Sequence, residues 1–241
     1  GVAIAKNEDS VFDFIKSKKI KKLAVPVERL TQPEYERLRR RFKLVDSTPA
    51  FVKAMSVKNE EELASITRAC EIAEEAYLQL LSFLKEGVTE NETAGYLEYL
   101  MRKCGAEDRS FETIAAFGKN SSVPHHASDG TKLKSGMPVL LDFGCKVNGY
   151  CSDITRTLWF GGKPVDEFKS VYESVLTSHL LARDNIRAGM KGREADAIAR
   201  DYLAKQGLDK FFTHSLGHGI GINIHEFPTL SPKGEAALQD G

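Results

Sequence analysis

Two aspartates, Asp142 and Asp153, flank a sequence that strongly favours a tight turn. That sequence is Asn148-Gly149, and the residues on both sides of it have the composition of β-strands. A two-residue hairpin loop there places Asp142 opposite Thr155, and Gly144 opposite Asp153. Because side chains alternate between the two faces of a sheet, both aspartates are then diagonal neighbours on one face.

Two carboxylates that lie so close repel each other unless a cation lies between them. The plainer alternative is that each carboxylate only accepts backbone hydrogen bonds at a sheet edge. Gly144 has no side chain and is therefore expected to leave room for an ion beside Asp153, which favours a metal site. The opposite face of the first strand is apolar and is predicted to be core; it comprises Leu141, Phe143, Cys145 and Val147.

Three of the six histidines, His214, His218 and His225, lie close together near the C-terminal end of the sequence. Glycines alternate with them, and glycine lets the backbone approach a ligand closely. A fourth candidate is His125, in a loop before the aspartate hairpin; solvent exposure of its neighbour His126, or of both, is the plainer alternative. Imidazole and carboxylate ligands suit divalent Mn, Co, Fe or Zn better than a metal that prefers thiolate.

Several other chemistries lack their sequence signatures. The chain has no G-x-S-x-G nucleophile elbow, no Walker A loop and no dinucleotide fingerprint. His225-Glu226 does not begin an H-E-x-x-H zinc motif, because Thr229 stands where the second histidine is required. Lys+Arg and Asp+Glu balance at 34 each, so the charge predicts neither a nucleic acid nor a membrane surface as partner. Four cysteines without a C-x-x-C pair predict reduced thiols and a cytoplasmic protein.

The sequence also repeats at an offset of 102 residues. Each copy is predicted to contain two helices, a glycine and a strand, with helices at about 59–86 and 90–104 and again at about 165–188 and 192–206. Gene duplication explains this better than chance similarity of two helical hairpins. The matching positions are Gly87-Val88, Glu92, Lys103 and Gly105 in the first copy and Gly189-Met190, Glu194, Lys205 and Gly207 in the second.

The predicted architecture is α+β, a curved antiparallel sheet covered by helices on one side. Residues 1–50 read as strand, helix, strand, helix, strand and are expected to be the last part of an α/β domain, with a linker at Ser47-Thr48-Pro49. Residues 51–241 form the second predicted domain. In its second copy, the positions equivalent to the two aspartates fall beyond Gly241, so the fold is expected to be incomplete at the C-terminus.

In combination these motifs resemble the pita-bread metallopeptidases, and within them the Xaa-Pro aminopeptidase and prolidase branch. The likeness covers residues 50–241, and residues 1–50 resemble the end of the creatinase-like N-terminal domain. His126 departs from the branch, which often has Gly or Ala there, and is expected to alter the site entrance. The motifs are Pro124-His125, Leu141-Asp142-Phe143-Gly144, the segment from Gly149 to Thr157, and the segment from His214 to Pro228.

The resemblance implies a pita-bread (creatinase/aminopeptidase) fold with a pseudo-two-fold repeat and two divalent metal ions. Mn or Co is favoured, with Zn or Fe as alternatives. Asp142 is implied to bind one ion, Asp153 to bridge both and His218 to bind the other. Two glutamate ligands of the family are expected after residue 241, so this chain by itself is predicted to be inactive.

His125, His214 and His225 are implied to contact the substrate and to transfer protons around the cleaved bond. The implied activity is hydrolysis of the peptide bond preceding proline, with Xaa-Pro peptides as partners and a homodimer left open. The alternatives are a methionine aminopeptidase, a creatinase-like hydrolase and a non-catalytic peptide-binding relative. Retention of Asp142, Asp153 and His218 argues against a creatinase-like hydrolase and against a non-catalytic relative. The remnant of an N-terminal domain expected at residues 1–50 argues against a methionine aminopeptidase.

Overall fold

The computed structural model describes residues 8–241, which form two compact units divided between Met55 and Ser56. In the first unit, β1 and β2 pair in parallel and the rings of Phe12 and Phe42, both buried, lie 6.1 Å apart. The predicted leading strand falls outside the described residues. The elements are α1 (Glu8–Ser17), β1 (Lys22–Val25), α2 (Gln32–Arg39), β2 (Lys43–Asp46) and α3 (Thr48–Ser56).

The predicted linker at residues 47–49 is wrong, because α3 begins there. Asp46 accepts hydrogen bonds from the backbone N–H of Thr48, at 2.9 Å, and from its hydroxyl, at 2.6 Å. An aspartate that satisfies a free N–H group stabilises the start of a helix. The Ser-Thr-Pro sequence therefore starts a helix, and the two compact units divide at the end of that helix.

The second unit contains the predicted repeat of helix pairs and strands. Its elements are α4 (Glu60–Leu80), α5 (Glu90–Lys103), β3 (Asp108–Arg109), β4 (Ile114–Phe117), β5 (Met137–Phe143), β6 (Cys145–Val147), β7 (Tyr150–Cys151), β8 (Ile154–Phe160), α6 (Asp166–Asn185), α7 (Gly192–Lys205), β9 (Gly217–Gly219) and β10 (Glu226–Leu230).

Three antiparallel sheets carry the site. β5 lies between β4 and β8, β6 lies between β3 and β7, and β9 pairs with β10. Asp142 is paired with Thr155 and Val147 with Tyr150, as the turn at Asn148-Gly149 predicts. The apolar face of β5 and β6 packs on α4 and α5, and Leu141, Phe143 and Cys145 are fully buried.

Gly144 separates β5 from β6, and the expectation that it leaves room for an ion is wrong. A Cβ atom at Gly144 would collide with the carbonyl oxygen of Ser152 and would lie 2.8 Å from the hydroxyl oxygen of Ser110. That hydroxyl donates to the Ser152 carbonyl at 2.7 Å. Glycine is therefore required for close approach of two backbone segments, and protein atoms fill the space beside it.

The two copies share their hydrogen-bond pattern as well as their helices. Gly87 N–H donates to the Leu133 carbonyl at 2.9 Å, and Gly189 N–H donates to the Leu238 carbonyl at 2.8 Å. The two glycines have φ values of 90° and 91°. Helices α5 and α7 have bounds that differ by the offset of the sequence repeat, whereas α4 ends at Leu80, earlier than predicted. The chain therefore repeats one supersecondary unit.

Candidate metal and substrate site

The two aspartates approach each other on one face of the hairpin. Asp142 is on β5, and Asp153 lies in the irregular stretch between β7 and β8. Burial, followed by the charge of Asp153, raises the pKa of Asp142 to about 6. Oδ1 of Asp142 is buried and has no hydrogen-bond partner among residues 8–241. A buried oxygen without a donor is costly for the fold, so its persistence suggests a ligand.

His218, on β9, faces Asp153 from the second copy. Its Nε2 lies 3.4 Å from Oδ2 of Asp153, and its Nδ1 lies 2.9 Å from the carbonyl oxygen of Gly219. Because a carbonyl only accepts, Nδ1 carries the hydrogen of the neutral ring and Nε2 presents its lone pair to the carboxylate. A proton or a metal cation between these two atoms relieves their repulsion. In the protonated ring Nε2–H donates to Asp153, and this hydrogen bond raises the pKa of His218.

Two further histidines border this cluster. The ring of His225 lies 4.4 Å from that of His218 between centroids, and His225 is exposed. His125 is also exposed, and its charge lowers the pKa of Asp142, so its imidazole lies near enough to that carboxylate to act on it. Both imidazoles are therefore accessible to a ligand that reaches the aspartates.

The sixth candidate, His214, has its ring contacts with residues near it in the sequence. Its Nδ1 lies 2.8 Å from the Ser215 carbonyl, and its ring meets the edge of Phe212 at 4.9 Å. The other five predicted side chains are linked to one another through Asp142, Asp153 and His218. The backbone of His214 is nonetheless fixed, because its carbonyl accepts a hydrogen bond from Arg200 at 2.9 Å.

Arg200, on α7, organises the segment that leads to β9. Its guanidinium is held by the buried carboxylate of Asp196 at 2.6 and 3.0 Å and also donates to the Phe212 carbonyl at 2.9 Å. Asp196 in addition accepts from the N–H of Leu216 at 3.0 Å. This pair joins the helix to the backbone on both sides of His214, and its only sign in the sequence is an (i, i+4) charge pair.

A second unpredicted group surrounds Glu90, at the start of α5. Its side chain is fully buried, and its carboxylate accepts hydrogen bonds from the loop that carries His125. His126 joins this group and is 14% exposed, which corrects the expectation that it faces solvent. Ligand atoms of Glu90, His126 and Asp129 lie within 4.8 Å of one another. The sequence did not predict that Glu90 is buried, because the capping-box pattern at 89–92 already explains an acidic residue at the start of this helix.

The main cluster fits a divalent cation. Asp142, Asp153 and His218 offer oxygen and imidazole ligands, the donor set of Mn, Co, Fe and Zn sites. A histidine ligand commonly donates its other ring N–H to a backbone carbonyl, as His218 does to Gly219. The buried Oδ1 of Asp142 supplies the unsatisfied acceptor.

Comparison with known proteins identifies the family. Residues 64–241 match the model of "Metallopeptidase family M24". This chain belongs to metallopeptidase family M24. Among the described residues of this M24 chain, no helix is long and apolar enough to cross a membrane.

Relatives of this M24 chain include proteins with assigned and unassigned substrates. It is 41% identical over 198 residues to the uncharacterized peptidase YqhT of Bacillus subtilis, covering 82% of the chain and 56% of that protein. It is 38% identical over 200 residues to an Xaa-Pro dipeptidase of Pyrococcus horikoshii, covering 83% and 56% respectively. The chain thus spans just over half the length of these relatives.

Solved structures confirm the pita-bread fold. The X-Pro aminopeptidase from Thermotoga maritima matches with a TM-score of 0.91 at 35% identity, covering 99% of this M24 chain and 68% of that one. The prolidase from Pyrococcus furiosus matches with a TM-score of 0.91 at 32% identity, covering 100% and 71% respectively.

Proposed function

We propose that the protein containing these residues is a metal-dependent peptidase that cleaves the peptide bond preceding proline, acting as an Xaa-Pro aminopeptidase or dipeptidase. One observation carries the metal-dependent part: the lone pair of His218 faces Asp153 at 3.4 Å, beside a buried oxygen of Asp142 that lacks a donor. The relatives named for Xaa-Pro substrates support the choice of substrate.

Asp142, Asp153 and His218 would hold the metal, with Mn or Co favoured and Zn or Fe as alternatives. When bound, divalent ions act as Lewis acids and activate water near neutral pH. A bound cation would also offset the repulsion between the carboxylates of Asp142 and Asp153. The family that the motifs resemble has two further glutamate ligands besides these three residues.

The remaining histidines supply protons and hydrogen bonds. His225, beside His218, and His125, beside Asp142, are exposed on the side where a peptide carbonyl would approach the aspartates. An imidazole N–H that donates to the carbonyl oxygen stabilises the negative charge that develops on it. An imidazolium can then protonate the leaving proline nitrogen. His214 is proposed to contact the substrate after its ring leaves Phe212.

Proline substrates differ from other peptides at this nitrogen. The amide before proline is tertiary and offers no N–H, so a site for it must recognise the ring and the carbonyl instead of an amide donor. Exposed imidazoles that donate to a carbonyl suit such a bond.

The test is an assay of the protein at the full length of its relatives, after removal of metal and addition of Mn or Co. Cleavage of Xaa-Pro peptides, loss of cleavage in Asp153→Asn, and normal cleavage in Asp166→Asn would support the proposal. Asp166 is a suitable control because its side chain is fully exposed on α6. A protein that cleaves Met-Ala but not Xaa-Pro peptides would instead be a methionine aminopeptidase.

A further inference from the structure

Glu90 is a buried carboxylate whose partners all lie in one loop. Oε1 accepts from the N–H of Phe117 at 2.7 Å and from Nδ2 of Asn120 at 2.9 Å. Oε2 lies 2.7 Å from Nε2 of His126 and accepts from the N–H of Asp129 at 3.1 Å. These four donors span residues 117–129, so one side chain fixes both ends and the middle of the loop.

This loop carries His125 in an unusual backbone conformation. His125 has a φ of 55°, in the left-handed region that residues other than glycine seldom adopt. Such conformations persist when the surrounding structure holds them. The side chains of His125 and His126 diverge, because His126 binds Glu90 while the imidazole of His125 lies near Asp142. The hydrogen bond to Glu90 is thus a direct restraint on the residue next to His125.

The helix itself does not need this carboxylate. The capping box of α5 is formed by Thr89 and Glu92, whose Oε2 accepts from the N–H and hydroxyl of Thr89 at 2.8 Å each. The second copy has Gly192 at the position of Glu90, where a Cβ would collide with the carbonyl oxygen of Thr229. The same supersecondary unit therefore folds without an acid at this position, and Glu90 belongs only to the copy that carries His125.

A metal site at Glu90, His126 and Asp129 is the competing explanation for the cluster. Both oxygens of Glu90 already accept hydrogen bonds from uncharged N–H groups. The 2.7 Å separation of Oε2 from His126 Nε2 is that of a hydrogen bond. The carboxylate is satisfied by protein donors, so the contacts favour a scaffold for the loop.

We propose that Glu90 is a positioning residue that acts through His126 to hold His125 at the substrate site. This inference rests on the proposed function in so far as His125 contacts substrate. The carboxylate accepts from four donors at once, which a neutral amide cannot do, because its NH₂ group would face the donors of His126 and Asp129.

The test uses the full-length protein, metal-loaded, with Glu90→Gln and His126→Ala. We expect kcat for an Xaa-Pro peptide to fall at least tenfold in each variant, with KM and bound metal changed less than twofold. His126→Gln, which keeps a side-chain N–H donor, is expected to restore part of kcat. Glu92→Gln is the matched control: it weakens the cap of the same helix turn but leaves the loop contacts intact, so its kcat stays within twofold.

A second readout does not depend on activity. In the ¹⁵N-histidine NMR spectrum, the ring signals of His125 are expected to shift or broaden in Glu90→Gln and His126→Ala, and to remain in Glu92→Gln. If the His125 signals change in this way but the protein cleaves no Xaa-Pro peptide, the positioning role of Glu90 stands and the proposed function fails. Unchanged kcat and unchanged His125 signals in Glu90→Gln would overturn the positioning role. A metal equivalent lost in both Asp129→Asn and Glu90→Gln would also overturn it, in favour of a metal site.

Discussion

Lys58 and Glu226 form a buried ion pair, with Nζ 3.1 Å from Oε2 and side chains that are 8% and 5% exposed. Oε1 of Glu226 also accepts from the backbone and side-chain N–H groups of Asn223, at 3.0 and 2.9 Å. Glu226 directly follows His225, so this pair ties the loop of His225 to the residues that precede α4. The N–H of Cys151 binds the same loop through the Gly221 carbonyl at 2.8 Å.

Replacing Lys58 alone should destabilise the protein strongly. Lys58→Met leaves Glu226 buried without its counter-charge, and breaking a buried pair costs about 3–5 kcal/mol of unfolding free energy. The double variant Lys58→Met, Glu226→Leu should recover much of that loss. Urea denaturation checks both values. Arg68→Ala, in an exposed pair with Glu71, is the control and should cost no more than about 1 kcal/mol; an equal loss in Lys58→Met would contradict the prediction.

Asp142→Asn should affect the protein in opposite directions with and without metal. In the presence of a chelator, the substitution removes a buried negative charge that the charge of Asp153 repels. The raised pKa of Asp142 means that its contribution destabilises the folded state increasingly between about pH 4 and pH 6. Above pH 6 the variant should therefore be more stable than the parent by about 1–3 kcal/mol.

With Mn or Co added, only the parent should gain thermal stability, because metal binding to the folded state stabilises it. Thermal unfolding at pH 5 and pH 7, with chelator or metal, measures both effects. Asp166→Asn, at a fully exposed position, should follow the parent in each condition. Equal metal stabilisation of Asp142→Asn and the parent would exclude Asp142 as a ligand.

Gly144→Ala should be severely destabilising. The added methyl group meets the Ser152 carbonyl where the residue before β6 approaches the residue after β7, and overpacking of this kind typically costs about 1–3 kcal/mol or more. Gly95→Ala is the matched substitution, since Gly95 lies in α5 with nothing within 4 Å of the new Cβ. It should stabilise the protein by about 0.5–1 kcal/mol. Chemical denaturation measures the change in the free energy of unfolding for each substitution. Changes of the same sign for Gly144→Ala and Gly95→Ala would contradict the predicted contact.

Arg200→Lys should weaken the segment that carries His214. A lysine keeps the charge but cannot reproduce the planar fork that joins Asp196 to two backbone carbonyls. The lost hydrogen bonds should cost about 1–3 kcal/mol. Arg193 is on the same helix as Arg200 and forms an exposed pair with Glu235. Arg193→Lys should change the free energy of unfolding by less than about 0.5 kcal/mol. Hydrogen exchange of residues 212–216 should increase only in Arg200→Lys, and equal protection in both variants would refute the role.

The sequence alone determined the features that depend on local interactions. The turn at Asn148-Gly149 sets the register that pairs Asp142 with Thr155, because a hairpin's pairing follows from its loop. Helix starts at Asn59 and Thr89 follow from side chains that bind N–H groups three residues away. The offset of 102 residues likewise aligned Gly87 with Gly189, and their N–H groups make corresponding hydrogen bonds in the two copies.

Tertiary structure decided which side chains are buried and which distant residues meet. Lys58 and Glu226 are separated by 168 positions, and Glu90 and His126 by 36, so no local pattern connects them. The sequence suggests that Gly144 leaves room for an ion, yet the approach of the Ser152 carbonyl is what requires glycine there. His214 shares its motif with His218, but its ring packs against Phe212, whereas His218 faces Asp153. Burial and close packing are properties of the assembled chain, because each depends on what lies on the other side of the residue.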